Sequence, residues 1–318
     1  MEYLLAPLAL LIERAIGYPK PLLATIGHPV MWIGALIGWF EARLNSGTRR
    51  RLKGVLMLAL LLGTVLALSL LIIAVTRRIP FGFVLEALIA SSLLAQMALG
   101  HAVKAVADGL TTSLEAGRRA VSHIVGRDPD ALDQSGVSRA AIESLAESTS
   151  DGVIAPLFWL LVGGLPGIAL YKAINTADSM VGHLNTRYAE FGWASAKLDD
   201  VANWIPARLS ALLVAAAAFL VRGADPEASW GAALRDARKH ASPNAGWPEA
   251  AFAGALGYSL GGPRAYDGEV HDLPEFGYGR RDLAPTDIFR SLELYWMVLN
   301  VTLGLTLGLA LILWWRLG

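Results

Sequence analysis

Not one cysteine occurs among the 318 residues, which removes disulfides, thiolate zinc sites, iron–sulfur ligation and a cysteine nucleophile from the available chemistry. A bound metal would need oxygen or histidine ligands. Charge is scarce as well: 17% of residues are charged, against about 25% in ordinary soluble domains. The 27 basic and 27 acidic residues cancel, so no broad field exists to attract nucleic acid. With 54% hydrophobic residues and a mean hydropathy of +0.47, disorder is excluded and membrane insertion is the leading class. The amino terminus has no basic segment before its apolar run and no small-residue cleavage pattern, so a removable signal peptide is not expected. Strand-like alternation is scarce, and internal repeats and low-complexity tracts are absent. So are the G-x-x-x-x-G-K-[ST] loop, a strand-linked G-x-G-x-x-G, G-x-S-x-G and H-E-x-x-H, which weakens the common nucleotide-loop, serine-hydrolase and zinc-protease readings.

In place of charge the sequence has long apolar runs. About 20 apolar residues cross the hydrocarbon core as a helix. Residues 54–76 meet that condition almost without charge; 81–100 and 295–315 are further spans, the latter ending in the interfacial pair Trp314 and Trp315 followed by Arg316. Residues 22–40 and 205–221 read as spans or buried core helices. Residues 152–174 are interrupted by Gly-Gly-Leu-Pro-Gly at 163–167, and each half is too short to cross alone. This predicts a re-entrant helical hairpin; a single kinked span is the alternative. The expected fold class is therefore all-α: a polytopic integral membrane protein with helical polar loops over 101–151 and 222–294, forming one integrated domain over 1–318.

Four polar clusters punctuate these runs. Arg139, Glu143, Glu147 and Asp151 recur every four residues and would line one helical stripe, either a hard-metal site or a solvated face. Lys172, Asn175 and Asp178 share a face directly after the apolar hairpin, where polar groups are costly and suggest function; Lys172 could instead snorkel. Asp199, Asp200 and Asn203, with Arg208 just past Pro206, suit Mg²⁺ and phosphate oxygens or a helix cap. Finally, Arg235, Arg238, Lys239 and His240 precede a turn at Ser242, Pro243 and Asn244, after which Glu249 opens a small-residue helix. Such basic groups and turn amides bind anions or lipid headgroups.

These clusters, in this order, resemble the adenosylcobinamide-phosphate synthase family of cobalamin biosynthesis. The resemblance covers nearly the whole chain: IGHPVMWIG, which contains His28, then GRDPDAL, ESLAESTSDGVIAPLF, YKAINTADSMVG, LDDVANWIPARL, SPNAGWPEAAFAGALG and LGGPRAYDGE. Two departures stand out. Ser148 replaces the Asn of the family's AEN-x-x-DG motif, and an early acidic D-x-x-x-G-D-P pattern appears here as Glu13, Gly17, Tyr18 and Pro19.

The resemblance implies ATP-dependent amide formation between adenosylcobyric acid and (R)-1-aminopropan-2-ol phosphate or a related amino alcohol, with Mg²⁺ and with the corrinoid as substrate. A carboxylate is a poor acyl donor until phosphorylated, and phosphoryl transfer needs metal and cationic charge around its oxygens. Under this expectation Glu143, Glu147, Asp151, Lys172, Asn175, Asp178 and His240 are catalytic candidates. Glu147, Asp151, Asp199, Asp200 and Asn203 are metal ligands; His28, Arg139, Arg208, Lys239, Ser242, Asn244 and Glu249 bind cofactor or phosphate. The attacking amine's proton would pass to His240 or to a carboxylate. Membrane lipid and other enzymes of the pathway are expected partners, and nucleic acid is not. An Mg²⁺-dependent prenyl- or alcohol-phosphate transferase and a solute transporter are the alternatives. Arg49, Arg50, Arg51 and Lys53 outnumber Arg77 and Arg78 across the 54–76 span, favouring a cytoplasmic Arg49 end, an active site on that face and residence in the cell's inner membrane.

Overall fold

The computed structural model describes residues 2–126, 129–262, 264–266, 269–271 and 274–317. Arg127 and Asp128 of GRDPDAL, and Pro263, Asp267 and Gly268 of LGGPRAYDGE, lie outside them. The chain is an all-α polytopic membrane protein. Among the described residues, five helical stretches are long and apolar enough to cross a bilayer: Lys20–Leu44, Arg50–Thr76, Gly82–Thr112, Gln134–Val181 and Pro285–Arg316; Trp193–Ala202 and Trp204–Ala218 qualify only when taken together as a bent pair. Four strands of two or three residues form two small antiparallel pairs. The chain separates into two compact units, one of residues Met1–Ala95, Ala155–Asn203 and Thr306–Gly318, the other of Gln96–Ile154 and Trp204–Leu305.

In the first unit the uncharged run becomes the Arg50–Thr76 helix, whose Met57, Leu61 and Val65 pack with Ile37, Ala173, Ala177 and Phe191. Close approach is set by glycine: a Cβ on Gly54 would lie 1.8 Å from the Phe191 carbonyl oxygen. Leu56, Leu60, Leu68 and Leu71 of the same helix are exposed, as expected of side chains whose solvent is lipid. The 22–40 run is two helices, Lys20–Ile26 and Pro29–Leu44. Gly27, at φ 74°, ends the first, and Pro29 begins the second with His28 as its cap.

Apart from its first residue, the 81–100 run lies within the Gly82–Thr112 stretch but is not one continuous helix. It divides into Gly82–Ser91 and Gln96–Thr112. The hydroxyls of Ser91 and Ser92 turn back onto the carbonyls of Leu88 and Ile89 at 2.8 and 2.7 Å, an alternative to the helical ladder that hydropathy does not register.

The Ala155–Val181 segment breaks at Gly164, which sits at φ 61° and ψ −151°, a conformation essentially reserved for glycine. A Cβ on Gly167 would stand 2.1 Å from the Trp159 carbonyl oxygen. Ala155, Tyr171 and Ile174 share one apolar cluster with Trp159 against it. Sixteen residues of straight helix would separate Ala155 from Tyr171 by about 24 Å; the chain therefore doubles back as a helical hairpin.

In the second unit, Asp133 and Asp225 cap their helices by accepting the amides of Gly136 and Ala228 at 2.6 and 2.9 Å. Helices Pro226–Asp236 and Gly246–Leu256 approach so closely that a Cβ on Gly254 would meet the Ala228 carbonyl at 2.2 Å. The Asp236 carboxylate is fully buried. It accepts from Arg235 at 2.6 Å, Lys239 at 2.7 Å and the Gly277 amide at 3.0 Å. Burial alone would raise its pKa, but these donors outweigh burial and hold the carboxyl below its ordinary range. Its contribution is therefore complete above the unfolded carboxylate's pKa and is lost as pH falls through the lower folded value. Asp236→Asn should destabilise the protein by about 2 kcal/mol at neutral pH and flatten the acid limb of its stability profile. Thermal unfolding in detergent between pH 3 and 7 measures both.

Candidate functional site

Two separate sequence clusters converge in the first unit. Asn175, on the inner arm of the hairpin, donates from Nδ2 to Asp199 Oδ1 at 3.4 Å, while Asn203 donates to Asp199 Oδ2 at 3.0 Å. The i,i+4 spacing of Asp199 and Asn203 at the end of Trp193–Ala202 makes the second bond local. Asn203 is itself held by the buried Tyr171, whose hydroxyl donates to Asn203 Oδ1 at 2.9 Å. This fixes which edge of the amide faces Asp199. Asp178 and Asp200 lie within electrostatic range of each other and of Asp199. A Cβ on Gly182 would stand 1.9 Å from Asp178 Oδ1, so the absent side chain leaves room for that carboxylate. Lys197 pairs with Asp200 at 3.1 Å.

His28 has a structural duty beside this group. Its Nδ1 accepts the Val30 amide at 3.2 Å and its ring packs on Tyr18 at 4.4 Å between centroids. Lys172 lies within its electrostatic range.

In the second unit Arg208 joins the basic turn. Its guanidinium donates to Asn244 Oδ1 at 2.8 Å and lies against the rings of Trp204 and Trp247, 4.6 and 4.8 Å from their centroids. Ser242 Oγ accepts the amides of Asn244 and Ala245 at 3.2 and 3.3 Å, which shapes the turn. His240 accepts the Ser242 amide at Nδ1 (2.9 Å) and turns Nε2 toward Glu249 Oε1 at 3.5 Å. With Nδ1 accepting, the neutral ring carries its proton on Nε2; taking a second proton would require giving up the Ser242 bond. The result is a rigid turn with a clamped guanidinium, suited to an anion. Lys239, expected beside it as a phosphate ligand, is engaged with Asp236.

The Arg139 to Asp151 stripe is corrected by the structure. The α-helix covers Gln134–Thr149 and Ser150–Ile154 is a π-helical turn, so the stripe crosses a change of helix type before Asp151. Glu143 is buried and accepts the Gly261 amide at 2.7 Å. Arg139 donates to Ser135 Oγ and to the Arg281 carbonyl at 2.7 and 2.8 Å. These contacts make the upper stripe a brace between distant segments; Glu147 is exposed and Asp151 half-buried.

The donor set can be tested against Mg²⁺. Among the described residues no group of three or more His, Asp or Glu is placed to hold an ion. Mg²⁺ characteristically takes one or two carboxylates and completes its shell with substrate phosphate and water, and the Asp178, Asp199 and Asp200 group fits that mode.

Sequence reasoning missed Tyr171, although Tyr171, Asn175 and Asp178 continue one helical face. It also missed the aromatic clamp, although Trp204 stands four residues before Arg208. For the buried Asp236 the flanking Arg235 and Lys239 were local partners, but its amide donor lies 41 residues away.

Known proteins supply the remaining comparison. Residues 6–295 match the CobD/Cbib protein family. A Brucella anthropi protein named Cobalamin biosynthesis protein CobD is 47% identical over 323 residues, covering 98% of each chain. A Rhodobacter capsulatus protein of the same name is 48% identical over 308 residues, covering 95% of each. No solved structure matches. A family match over most of the chain and near full-length identity to named members place this protein in the CobD/Cbib family.

Proposed function

We propose that this protein is the membrane amide synthase of cobalamin biosynthesis, joining adenosylcobyric acid to (R)-1-aminopropan-2-ol phosphate or a related amino alcohol at the expense of ATP. The coarser role, an enzyme of cobalamin biosynthesis acting on a corrinoid, follows from family membership. The observation that carries the finer reading is the convergence of YKAINTADSMVG and LDDVANW on one amide-braced carboxylate group in the first unit.

In this reading Asp178 and Asp199 would hold Mg²⁺, which when bound offsets charge on the transferring phosphoryl oxygens. Asn175 and Asn203 keep the Asp199 carboxylate oriented, and Tyr171 keeps Asn203 from rotating. The γ-phosphoryl group of ATP passes to the corrinoid carboxylate with loss of ADP. The amine nitrogen then attacks the activated carbonyl, phosphate leaves, and the amine proton passes to a carboxylate. In the second unit, the clamped Arg208 and the Ser242–Asn244 turn are suited to an anionic group. The Arg49 to Lys53 basic segment supports a cytoplasmic face for the chemistry, where ATP is available.

Membranes containing the protein should consume ATP only when adenosylcobyric acid and the amino-alcohol phosphate are both present, yielding an amide-linked corrinoid detected by mass. A prenylated lipid product without corrinoid turnover contradicts this. Arg208→Lys keeps the charge but loses the planar fork and its aromatic stacking; the KM for an anionic substrate should rise about tenfold, roughly 1.4 kcal/mol. Steady-state kinetics in nanodiscs measure it.

A further inference from the structure

A cavity of about 380 Å³ in the second unit is lined by Glu115, Arg118, Arg119, Ser122, Pro129 and Asp130. The first four follow one another at helical spacing along Leu114–Val121 and its cap, and so share a face. Pro129 and Asp130 come from GRDPDAL, a segment that neither the acid group nor the basic turn uses. The walls are fixed. A Cβ on Gly117 would stand 2.3 Å from Leu110 Cδ2, and one on Gly109 would stand 2.9 Å from the Ala116 carbonyl, so the helix lies tightly on Gln96–Thr112. Arg118 Nε donates to the Leu132 carbonyl at 2.8 Å. Beyond the helix, Ser144 Oγ holds the Ile124 carbonyl at 2.7 Å.

The lining has a distinctive charge pattern. Two guanidiniums suit the dianion of a phosphate monoester, which they can grip with planar forks. Two carboxylates suit an ammonium. A volume near the lower end of the small-molecule range admits a compact molecule carrying both groups and excludes a corrin macrocycle. We propose that this cavity binds the amino-alcohol phosphate, with Arg118 and Arg119 on the phosphate and Glu115 and Asp130 on the amine. This rests on the functional reading above, because that reaction consumes the amino-alcohol phosphate. A phosphatidylethanolamine headgroup offers the same phosphate and amine, but its phosphodiester carries a single charge, and two guanidiniums match the monoester better.

Binding to the purified full-length protein in lipid-free detergent, with neither ATP nor corrinoid, separates this inference from turnover. Calorimetry with (R)-1-aminopropan-2-ol phosphate, free 1-aminopropan-2-ol and inorganic phosphate should show the phosphorylated amine binding at least tenfold more tightly than either half. Arg119→Gln should weaken that binding at least tenfold and leave the free amine unaffected, while Arg119→Lys, which retains charge without the fork, should fall between. In turnover, Arg119→Gln should raise the KM for the amino-alcohol phosphate and not that for ATP. Equal affinity in wild type and Arg119→Gln, a rise confined to the KM for ATP, or binding seen only as an effect of phosphatidylethanolamine in nanodiscs would each overturn the assignment. A wild-type protein that binds the phosphorylated amine but forms no amide keeps the site and overturns the reaction.

Discussion

Asp199→Asn should reduce amide formation at least a hundredfold while the protein still assembles in membranes. The substitution keeps the size of the side chain but removes the charge. It also sets an amide where Asn175 and Asn203 both donate to carboxylate oxygens, so one of those bonds becomes a donor facing a donor. A hundredfold loss is about 2.7 kcal/mol of barrier, the scale of removing one charged group from a preorganised site. Asp178→Asn should act in the same direction. Product formation by mass, with melting in detergent as the control for folding, checks both. A variant within threefold of wild type would remove Asp199 from the chemistry.

The second large effect concerns architecture. Gly167→Ala should destabilise the protein by about 3 kcal/mol, enough to lower its accumulation in membranes sharply. The new methyl would stand 2.1 Å from the Trp159 carbonyl oxygen, and both partners are backbone, so relief requires opening the hairpin. Gly163→Ala is the internal control, since nothing lies within 4 Å of a Cβ there. Equal accumulation and melting of the two variants would contradict the hairpin. If the hairpin also enters and leaves the bilayer on one side, as we propose, its turn is shielded from lipid by protein.

Legibility in the sequence followed the range of the interaction. The Arg50–Thr76 helix was evident because its whole cause, an uncharged run of spanning length, is local. The break at Gly164 was evident for the same reason: Gly-Gly-Leu-Pro-Gly cannot continue a helix. The division after Ser91 was not, since serine back-bonding leaves hydropathy unchanged. Asp199 and Asn203 announced their bond by i,i+4 spacing, yet Tyr171, 32 residues from Asn203, gave no such notice. The upper part of the stripe from Arg139 proved to be a brace, because Glu143 was claimed by the Gly261 amide 118 residues away.

In the proposed reaction this protein activates a corrinoid carboxylate with ATP and then forms the amide. Adenosylcobyric acid labelled with ¹⁸O in its free carboxylate, supplied to the protein in nanodiscs with ATP, Mg²⁺ and (R)-1-aminopropan-2-ol phosphate, tests this directly. The account predicts one ¹⁸O in the inorganic phosphate released for each amide formed, with the other retained in the amide carbonyl. ATP hydrolysis that leaves both labels in an unaltered carboxylate, with no amide corrinoid produced, would contradict it.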